Sequence, residues 1–525
     1  MTTSKKMLVL IACFFIVFVI YGQSMKGGFV FDDRNILDHR EILTGFENIG
    51  EAVMSPFWDI ESGLYRPVTL VSFSTNFAVG SSPVGFHFAN LILYSLSCFL
   101  IFLFTTRFSR NKKLGWIVAI LFLIIPLHSE VVANITGRSE LLALFFSLLA
   151  LLEIIKDKIN FWYVGLWVFL AIGSKESAIA IVPLILLMLI IRENKLNIEI
   201  LKKHFLTISS VIIGAGFYFF LRFFALGPTH YLKVNTSLIE NPLMFTDTYS
   251  RILTAFKIFW MYIQKLFWPA GLCSDYSYNQ IEIVHNLSNT ESILGLVIFI
   301  VMVVLAIALW RKKPIVTIAF SIIIFSFLPI SNIFFPTGTI AGERLFYFPS
   351  LGFAILVSYL GWIIYRFIKS RIKIESKTLY ILVSLVVLVI SIFYGINSFT
   401  RQKVWLNEKS LFLSAVECAP SSVLSRSNAG AIYYLEGDLK NAKRELEYAK
   451  NIKPIYSKGL NNLGLVYWKL GEPEKAEQMY LEAIKQDFPY LGAYENLINL
   501  YLEEKRYTDA KKWLNIIFPN KKTND

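Results

Sequence analysis

Long apolar segments separated by short polar ones dominate the first 400 residues of the chain. A helix that crosses a bilayer needs about 20 mostly apolar residues, with a usual range of roughly 17 to 25. The pattern predicts eleven transmembrane helices, near residues 7–24, 86–105, 114–128, 140–155, 159–173, 177–191, 205–226, 292–310, 314–334, 346–365 and 378–397. The first follows Lys5 and Lys6 and has a poor signal-peptidase site, so we interpret it as a retained span.

The distribution of Lys and Arg supports this number of spans, because short cytoplasmic loops carry an excess of basic residues. With a cytoplasmic N-terminus, one side of the membrane receives the basic runs at 5–6, 107–113, 156–158, 192–203, 311–313 and 366–377. The segment from Arg251 to Cys273 is apolar but contains Lys257 and Lys265, and counting it as a span would place the 311–313 run outside. We therefore predict an interfacial or re-entrant segment there. An odd number of spans places the C-terminal tail on the non-cytoplasmic side.

The pattern changes at about Arg401, where the chain becomes polar enough for a soluble domain. Three sets of residues recur there at intervals of 34 positions: Asn428, Asn462 and Asn496; Tyr433, Tyr467 and Tyr501; Ala442, Ala476 and Ala510. This period resembles that of the tetratricopeptide repeat, a helix-turn-helix unit. It predicts an α-solenoid with repeats at about 421–454, 455–489 and 490–519, capped by a helix within 405–420. The predicted fold is therefore all-α, a polytopic helix bundle over 1–400 followed by a repeat domain over 401–525.

The composition agrees with a membrane protein. Of 525 residues, 55% are hydrophobic and 17% are charged, which lies outside the averages of soluble domains. The formal net charge is +13, but +10 of it precedes Arg401, among the apolar segments. Positive charge placed between apolar segments indicates the orientation of membrane spans and argues against a nucleic-acid partner. The cysteines have neither a metal-ligand spacing nor a disulfide-framework pattern, so we interpret all four as structural thiols: Cys13, Cys98, Cys273 and Cys418.

Ionisable residues collect in the loops on the non-cytoplasmic side of this topology, beginning with the first outer loop at about 25–85, whereas the opposite loops contain simple basic runs. Such residues at membrane depth or at span ends are costly and tend to mark function. The clusters are Phe29-Val30-Phe31-Asp32-Asp33-Arg34, Tyr65-Arg66-Pro67, Phe86-His87, His128-Ser129-Glu130, Gly137-Arg138-Ser139-Glu140, Gly173-Ser174-Lys175-Glu176 and Ala341-Gly342-Glu343-Arg344.

The adjacent carboxylates Asp32 and Asp33 directly follow an apolar span and could serve different purposes. One could be a general base that the other assists, or the pair could bind a divalent metal ion. A purely structural Asx turn or helix cap is a third interpretation. His87 and His128 are most simply neutral hydrogen-bonding residues, although either could donate to a leaving phosphate group.

Four basic side chains on the same side could hold a phosphate group: Arg66, Arg138, Lys175 and Arg344. Arg suits this role best, because its planar fork matches phosphate oxygens. Taken singly, each could instead contact a lipid headgroup or form a local ion pair, such as Lys175 with Glu176 or Arg344 with Glu343. The sequence has no phosphate-binding glycine-rich loop, no recognisable Ser-His-Asp context and no metal-spaced Cys/His cluster.

In order along the chain, these blocks resemble those of the TMTC proteins, the transmembrane and tetratricopeptide-repeat O-mannosyltransferases. The resemblance covers almost the whole chain, including the Trp405 region and the repeats, although three repeats make a short array for that family. The matching blocks lie at 29–33, 65–69, 85–90, 126–142, 174–177 and 341–350.

The resemblance implies the GT-C glycosyltransferase fold, in which a multi-span bundle uses a lipid-phosphate sugar donor. In GT-C protein O-mannosyltransferases an acidic pair early in the first outer loop supplies the catalytic base, which implies Asp32 as the base and Asp33 as its neighbour. The implied reaction moves a sugar, expected to be mannose, from polyprenyl or dolichyl phosphate to an acceptor hydroxyl, expected to be Ser or Thr of a protein. It occurs on the outer face with inversion of the anomeric carbon.

Under this interpretation the donor phosphate would be held by Arg138, Arg344, Lys175, Arg66 and His87. Supporting roles would fall to His128, Glu130, Glu140, Glu176 and Glu343. We expect no nucleotide cofactor and no divalent metal, because a lipid phosphate is already an adequate leaving group and cations are present. The expected partners are the lipid-linked sugar, membrane lipids and a protein or peptide acceptor, which the repeats would hold near the site.

The compact loops suggest a bacterial inner-membrane protein with its repeats in the periplasm, or an endoplasmic-reticulum protein with lumenal repeats if the source is eukaryotic. Two other functions remain open: transfer of a glycan to a lipid or saccharide, and a non-catalytic membrane-anchored repeat scaffold. A transporter fits less well, because Arg222 is the main ionisable residue near a span centre and the clusters lie at span ends.

Overall fold

The computed structural model describes residues 3–38, 40–231, 236–371, 376–453, 455–486 and 490–518. These residues form helices, 3-10 turns and loops without any strand, so the predicted all-α class is confirmed. The helices of the first part are α1 Thr3–Tyr21, α2 Arg34–Asp38, α3 Arg40–Leu43, α4 Ile49–Met54, α5 Pro67–Val79, α6 Pro83–Ser109, α7 Lys112–Ile124, α8 His128–Ala133, α9 Arg138–Ile154, α10 Phe161–Ser174, α11 Ile181–Glu193, α12 Glu199–Lys203, α13 Phe205–His230, α14 Thr248–Phe267, α15 Thr290–Leu309, α16 Pro314–Phe327, α17 Tyr347–Arg371 and α18 Ser376–Arg401.

The protein is an integral multi-pass membrane protein. Seven helical stretches have the length and composition of a membrane span: Thr3–Lys26, Pro83–Ser109, Ile135–Ile154, Phe205–His230, Thr290–Leu309, Glu343–Arg371 and Ile381–Trp405. Each of the other four predicted spans contains a helix, but these helices (α7, α10, α11 and α16) have only 13 or 14 residues. At 1.5 Å per residue such a helix covers about 20 Å of a hydrocarbon layer that is about 30 Å thick. The structure therefore shows seven candidate spans, and the total of eleven stays a prediction.

Glycines allow several of these helices to pack backbone against backbone. A Cβ atom on Gly214 of α13 would lie 2.3 Å from the carbonyl oxygen of Gly165 in α10, and one on Gly295 of α15 would lie 2.0 Å from that of Phe256 in α14. Small residues at such crossings are typical of membrane helix bundles, in which close packing drives association. These contacts hold the bundle that carries the outer loops.

Helix α14 lies in the segment for which we predicted an interfacial or re-entrant structure. Its buried side includes Leu253, Phe256 and Phe259, whereas Lys257 and Lys265 lie outside that set. The helix is absent from the candidate spans found among the described residues. The tyrosine hydroxyl of Tyr394 in α18 donates to the carbonyl oxygen of Leu266 at 2.6 Å, which ties the end of α14 to the last span.

The first outer loop folds into a small structure with a core of its own. Helices α2 to α5 enclose a cluster of apolar residues: Ile36, Leu43, Ala52, Phe57, Leu70, Phe73, Phe77, Phe86 and Ile135. Two of these, Phe86 and Ile135, belong to the bundle, so the loop packs directly on it. The Phe31–Asp33 turn at the start of the loop is therefore held between a span and a packed subdomain.

The tail consists of α19 Glu408–Cys418, α20 Val423–Leu435, α21 Leu439–Ile452, α22 Ser457–Lys469, α23 Pro473–Ile484, α24 Leu491–Glu503 and α25 Tyr507–Ile517. The last six form three helix pairs consistent with tetratricopeptide repeats. Gly437 and Gly471 sit in the left-handed region at the turns of the first two pairs, with φ of 80° and 76°. The predicted ends of the repeats, 454, 489 and 519, lie outside the described residues.

The tail is covalently joined to the membrane domain. Cys273, in the loop after α14, forms a disulfide with Cys418 at the end of α19, and their Cα atoms are 5.6 Å apart. Our interpretation of four structural thiols is therefore wrong for these two, whereas Cys13 and Cys98 are buried and free. The sequence separation of 145 between the partners explains the error, because sequence spacing carries no information about which distant segments meet.

Candidate active site

Three residues from three predicted clusters meet at the start of the first outer loop. Asp32 Oδ2 accepts a hydrogen bond from Arg344 Nη1 at 2.7 Å, and both side chains are 26% exposed. Arg344 Nη1 also lies 3.5 Å from Glu130 Oε1, and the backbone N–H of Arg344 donates to Glu130 Oε2 at 3.0 Å. One guanidinium thus joins a partly exposed carboxylate to a buried one.

Asp33 has a different set of contacts from Asp32. Its carboxylate is buried and accepts hydrogen bonds from the backbone N–H groups of Val30, Ile135 and Thr136, at 3.3, 3.2 and 2.8 Å. Burial raises the pKa of Asp33 to about 7, although the three N–H donors act to lower it. Asp33 therefore anchors the turn to the segment before α9, as the capping interpretation anticipated, and Asp32 is the member of the pair that is partly exposed.

The geometry of Arg344 leaves part of its guanidinium available. Arg has five N–H donors in a planar fork. Only Nη1 is engaged by Asp32 and Glu130, and among the described residues no hydrogen bond involves Nε or Nη2 of Arg344. An oxyanion such as a phosphate could therefore bind this free edge without displacing Asp32.

Arg138, which we also predicted to bind phosphate, has all three of its guanidinium nitrogens hydrogen-bonded to protein oxygens. Nε donates to Asn90 Oδ1 at 2.9 Å, Nη2 donates to the carbonyl oxygen of Phe86 at 2.8 Å, and Nη1 contacts the carbonyl oxygen of Ser72 at 3.2 Å and the side chain of Asn76. The side chain is buried and lies over Phe73. Arg138 therefore joins α5, α6 and α9.

Lys175 and Glu176 pair with distant residues and not with each other, so the local ion pair that we considered is absent. Lys175 binds Glu140 inside the bundle. Burial lowers the pKa of Lys175 while Glu140 opposes that effect; the fields of Arg66 and Arg344 add to the lowering. Three of the four predicted phosphate ligands therefore lie within electrostatic reach of one another.

Glu176 pairs with Arg66, a residue of the first outer loop. Its Oε2 accepts from Arg66 Nε at 2.9 Å, and its Oε1 accepts from the backbone N–H of Tyr65 at 3.0 Å. Arg222 Nη1 lies 3.7 Å from Glu176 Oε1, while Arg222 Nη2 donates to the carbonyl oxygen of Gly63 at 2.6 Å. Arg222 thus connects α13 with the first outer loop.

The two histidines differ in the state of their ring nitrogens. His128 Nδ1 hydrogen-bonds the hydroxyl of Tyr94 at 2.8 Å, and its Nε2 hydrogen-bonds Ser350 Oγ at 2.7 Å. Both nitrogens of His128 are thereby used inside the bundle. His87 is also buried, but neither of its ring nitrogens has a hydrogen-bond partner in the described part of the chain.

Glu343 is buried behind Arg344 and does not pair with it, contrary to the local ion pair that we considered. Its Oε1 accepts from the backbone N–H of Cys273 at 2.5 Å and from the hydroxyl of Tyr276 at 2.8 Å. Its Oε2 lies 3.9 Å from Arg401 Nη2. Sequence reasoning missed Cys273, Tyr276 and Arg401, and no motif or spacing around them could have signalled this contact.

Two further features bear on possible ligands. Over the described ranges, no group of three or more His, Cys, Asp or Glu side chains is arranged to hold a metal ion. A mostly apolar groove of about 760 Å³ runs along α14 and is lined by Trp260, Lys265, Trp268 and Tyr276, among others. Tyr276 links this groove to Glu343, one residue away from Arg344.

Comparison with known proteins gives the following matches. The profile of the family described as Protein O-mannosyl-transferase TMTC, DUF1736, matches residues 235–304, and a tetratricopeptide-repeat profile matches residues 457–487. Protein O-mannosyl-transferase F38B6.6 of Caenorhabditis elegans is 27% identical over 449 residues, which cover 83% of this chain and 61% of the relative.

Two human proteins are similar to about the same degree. Protein O-mannosyl-transferase TMTC3 of Homo sapiens is 26% identical over 551 residues, covering 94% of this chain and 58% of the relative. Protein O-mannosyl-transferase TMTC4 of Homo sapiens is 27% identical over 473 residues, covering 79% of this chain and 62% of the relative. The chain thus spans about three fifths of the length of these relatives.

Proposed function

We propose that the chain, which is similar to TMTC proteins over most of its length, transfers a sugar from a polyprenyl-phosphate donor to an acceptor hydroxyl at the outer face of the membrane. The observation that carries this proposal is the contact between Asp32 and Arg344, which combines a partly exposed carboxylate with a guanidinium whose other edge has no hydrogen-bond partner among the residues that the structure describes. The names of the relatives favour mannose as the sugar and protein as the acceptor.

The residues suggest how such a reaction would proceed. Asp32 takes the proton from the acceptor hydroxyl while the acceptor oxygen attacks the anomeric carbon of the sugar. The bond between that carbon and the phosphate oxygen breaks, the configuration at the carbon inverts, and the electron pair leaves with the lipid phosphate. The free edge of Arg344 neutralises the charge that develops on the leaving phosphate, in a field to which Arg66 and Lys175 contribute.

The structure leads us to revise the donor-binding set. Among the described residues Arg344 has donors without a partner, whereas all three guanidinium nitrogens of Arg138 bind protein oxygens, so we assign phosphate binding to Arg344 and a structural role to Arg138. The isoprenoid chain of the donor would lie in the apolar groove along α14, because that groove reaches Tyr276 and hence Glu343. We continue to expect neither a nucleotide cofactor nor a divalent metal.

We also propose that the site and the tail face a non-cytoplasmic compartment through an eleven-span topology. The disulfide between Cys273 and Cys418 supports this orientation, because disulfides persist in oxidising compartments such as the bacterial periplasm or the lumen of the endoplasmic reticulum. The repeats would then hold a protein acceptor on the same side as the site.

A transfer assay tests the proposal. Membranes containing equal amounts of wild type, Asp32→Asn or Asp59→Asn receive radiolabelled polyprenyl-phosphate mannose, and label in protein is counted. Asp59 is an exposed carboxylate of the same loop, which makes it a matched control. We expect Asp32→Asn to reduce transfer by about 10²-fold or more, in the range of general base catalysis, and Asp59→Asn to leave it unchanged. Equal transfer by wild type and Asp32→Asn would remove Asp32 from the mechanism.

A further inference from the structure

The carboxylate of Glu343 is enclosed between the membrane domain and the segment that carries the disulfide. It has no exposed surface, and two donors from that segment, the N–H of Cys273 and the hydroxyl of Tyr276, bind the same oxygen. Arg401, at the end of α18, approaches its other oxygen. A buried carboxylate that is hydrogen-bonded and close to a cation is held in one orientation, because any rotation would leave charge unpaired in a medium of low polarity.

The backbone on both sides of Glu343 is fixed as well. The N–H of Gly342 donates to the hydroxyl oxygen of Tyr262 at 2.9 Å, and that hydroxyl donates to the carbonyl oxygen of Gly342 at 2.9 Å. On the other side, the N–H of Arg344 donates to Glu130. Since Arg344 directly follows Glu343, the position of its guanidinium on Asp32 depends on how this short segment is held.

The segment that binds Glu343 is itself tied to the tail. Cys273 is bonded to Cys418, the carboxylate of Asp275 accepts hydrogen bonds from Ser422 and Ser425, and the N–H of Val423 donates to the carbonyl oxygen of Tyr278 at 2.7 Å. Ser422, Val423 and Ser425 lie at the start of α20, the first helix of the repeats. A continuous set of contacts therefore runs from the repeat domain through residues 273–278 to Glu343.

We propose that Glu343 is a positioning residue that keeps Arg344 in contact with Asp32, and that the Cys273–Cys418 disulfide clamps the docked tail so that Glu343 keeps this place. The inference rests on the proposed function for its effect on the reaction. The repeat domain is then part of the catalytic unit as well as a place for an acceptor, since loosening its attachment moves a phosphate-binding side chain without removing any group that touches substrate.

The alternative is that Glu343 merely neutralises the charge of Arg401 and that its loss weakens the fold in general. A double-mutant cycle separates these two roles, because residues that act through one another give non-additive effects. The cycle compares wild type, Glu343→Gln, Arg344→Lys and the double variant by their kcat and donor KM in sugar transfer. Glu153→Gln is the matched control, because Glu153 is also buried and paired, with Lys156, but lies at the opposite end of α9 from Arg138.

We expect Glu343→Gln to lower kcat by about 10-fold with donor KM changed less than about 2-fold, the signature of an interaction that matters mainly in the transition state. In the Arg344→Lys background, Glu343→Gln should lower kcat by less than about 2-fold. Glu153→Gln should change kcat by the same factor in both backgrounds. An effect of Glu343→Gln that simply multiplies with that of Arg344→Lys would overturn the positioning role.

Hydrogen exchange tests the clamp without any enzymatic activity. We expect faster exchange of the Arg344 amide, which is bonded to Glu130, in Tyr276→Phe and in the double variant Cys273→Ser with Cys418→Ser, whereas Cys13→Ser should leave it unchanged. Peptides of α22 and α23 report whether the repeats remain folded in each variant. Unchanged exchange at Arg344 in both test variants would overturn the clamp. Absence of sugar transfer by wild type would contradict the proposed function alone, since the exchange result still decides the positioning.

Discussion

Arg344 and Arg138 lie on the same side of the bundle, but Arg138 is buried whereas Arg344 is partly exposed, and the protein uses more of the guanidinium donors of Arg138. Around Arg138, oxygen atoms of Asn76, Asn90 and neighbouring backbone carbonyls surround the fork. Around Arg344, two carboxylates share a single nitrogen, and the remaining edge is free within the described part of the chain. An arginine near the candidate site can therefore bind a ligand only where some of its N–H groups have no hydrogen-bond partner in the protein.

Removing Arg344 is expected to have the largest effect on activity. Arg344→Ala deletes the cation that faces the leaving phosphate, and we expect sugar transfer to fall by about 10³-fold, as for the loss of one preorganised electrostatic group. The midpoint of thermal unfolding in detergent should fall less than in Arg138→Ala, because the Arg344 side chain is partly exposed whereas that of Arg138 is buried. Transfer within about 3-fold of wild type would assign the phosphate to another residue.

Removing Arg138 should lower the stability of the protein strongly and change donor binding little. Arg138→Ala leaves several buried acceptors without a donor, so we expect the free energy of unfolding to fall by about 3 kcal/mol. The measurement is chemical or thermal unfolding in detergent, with the donor KM of the remaining folded enzyme as the second readout. A stable variant with a strongly raised donor KM would show that Arg138 binds the donor after all.

Replacing Glu130 should reduce activity less than removing Arg344. Glu130 is buried, burial raises its pKa to about 7, and the nearby positive charge of Arg344 acts to lower it. Glu130→Gln removes one of the two carboxylates that orient the guanidinium but keeps an acceptor for the backbone N–H. We therefore expect transfer to fall by about 10-fold, measured as kcat at saturating donor. An unchanged kcat would mean that Asp32 alone orients Arg344.

The smallest expected effect is the contribution of Asp33 to the pH dependence of protein stability. Because the folded pKa of Asp33 is raised to about 7, the neutral form is favoured by the fold. Its contribution to stability is complete below about pH 4 and is lost as pH rises through about 7. Thermal unfolding of wild type and Asp33→Asn between pH 4 and 8 measures this. The two proteins should differ in the slope of stability against pH, and parallel curves would contradict the raised pKa.

The sequence predicted much of the candidate site. The clusters around Asp32, Glu130 and Arg344 were selected because ionisable residues at span ends are costly, and these three residues meet in the structure. Their individual roles could not be predicted, since the choice between Asp32 and Asp33, or between Arg344 and Arg138, depends on which backbone groups lie nearby. Three N–H groups bind Asp33 and four protein acceptors surround Arg138, and all of these groups except the N–H of Val30 come from segments distant in sequence.

The patterns along the chain were sufficient to predict the all-α class, the membrane part and the repeat tail, because helix burial in lipid and the stacking of repeats both depend on periodicities that can be counted. Three features became visible in the folded protein alone: Cys273 joins Cys418, Glu343 binds Tyr276 and not Arg344, and one edge of Arg344 has no partner among the described residues. All three have the same cause. A hydrogen bond or a disulfide depends on distance in space, and residues separated by 70 or 145 positions reach that distance only when the bundle and the tail have packed.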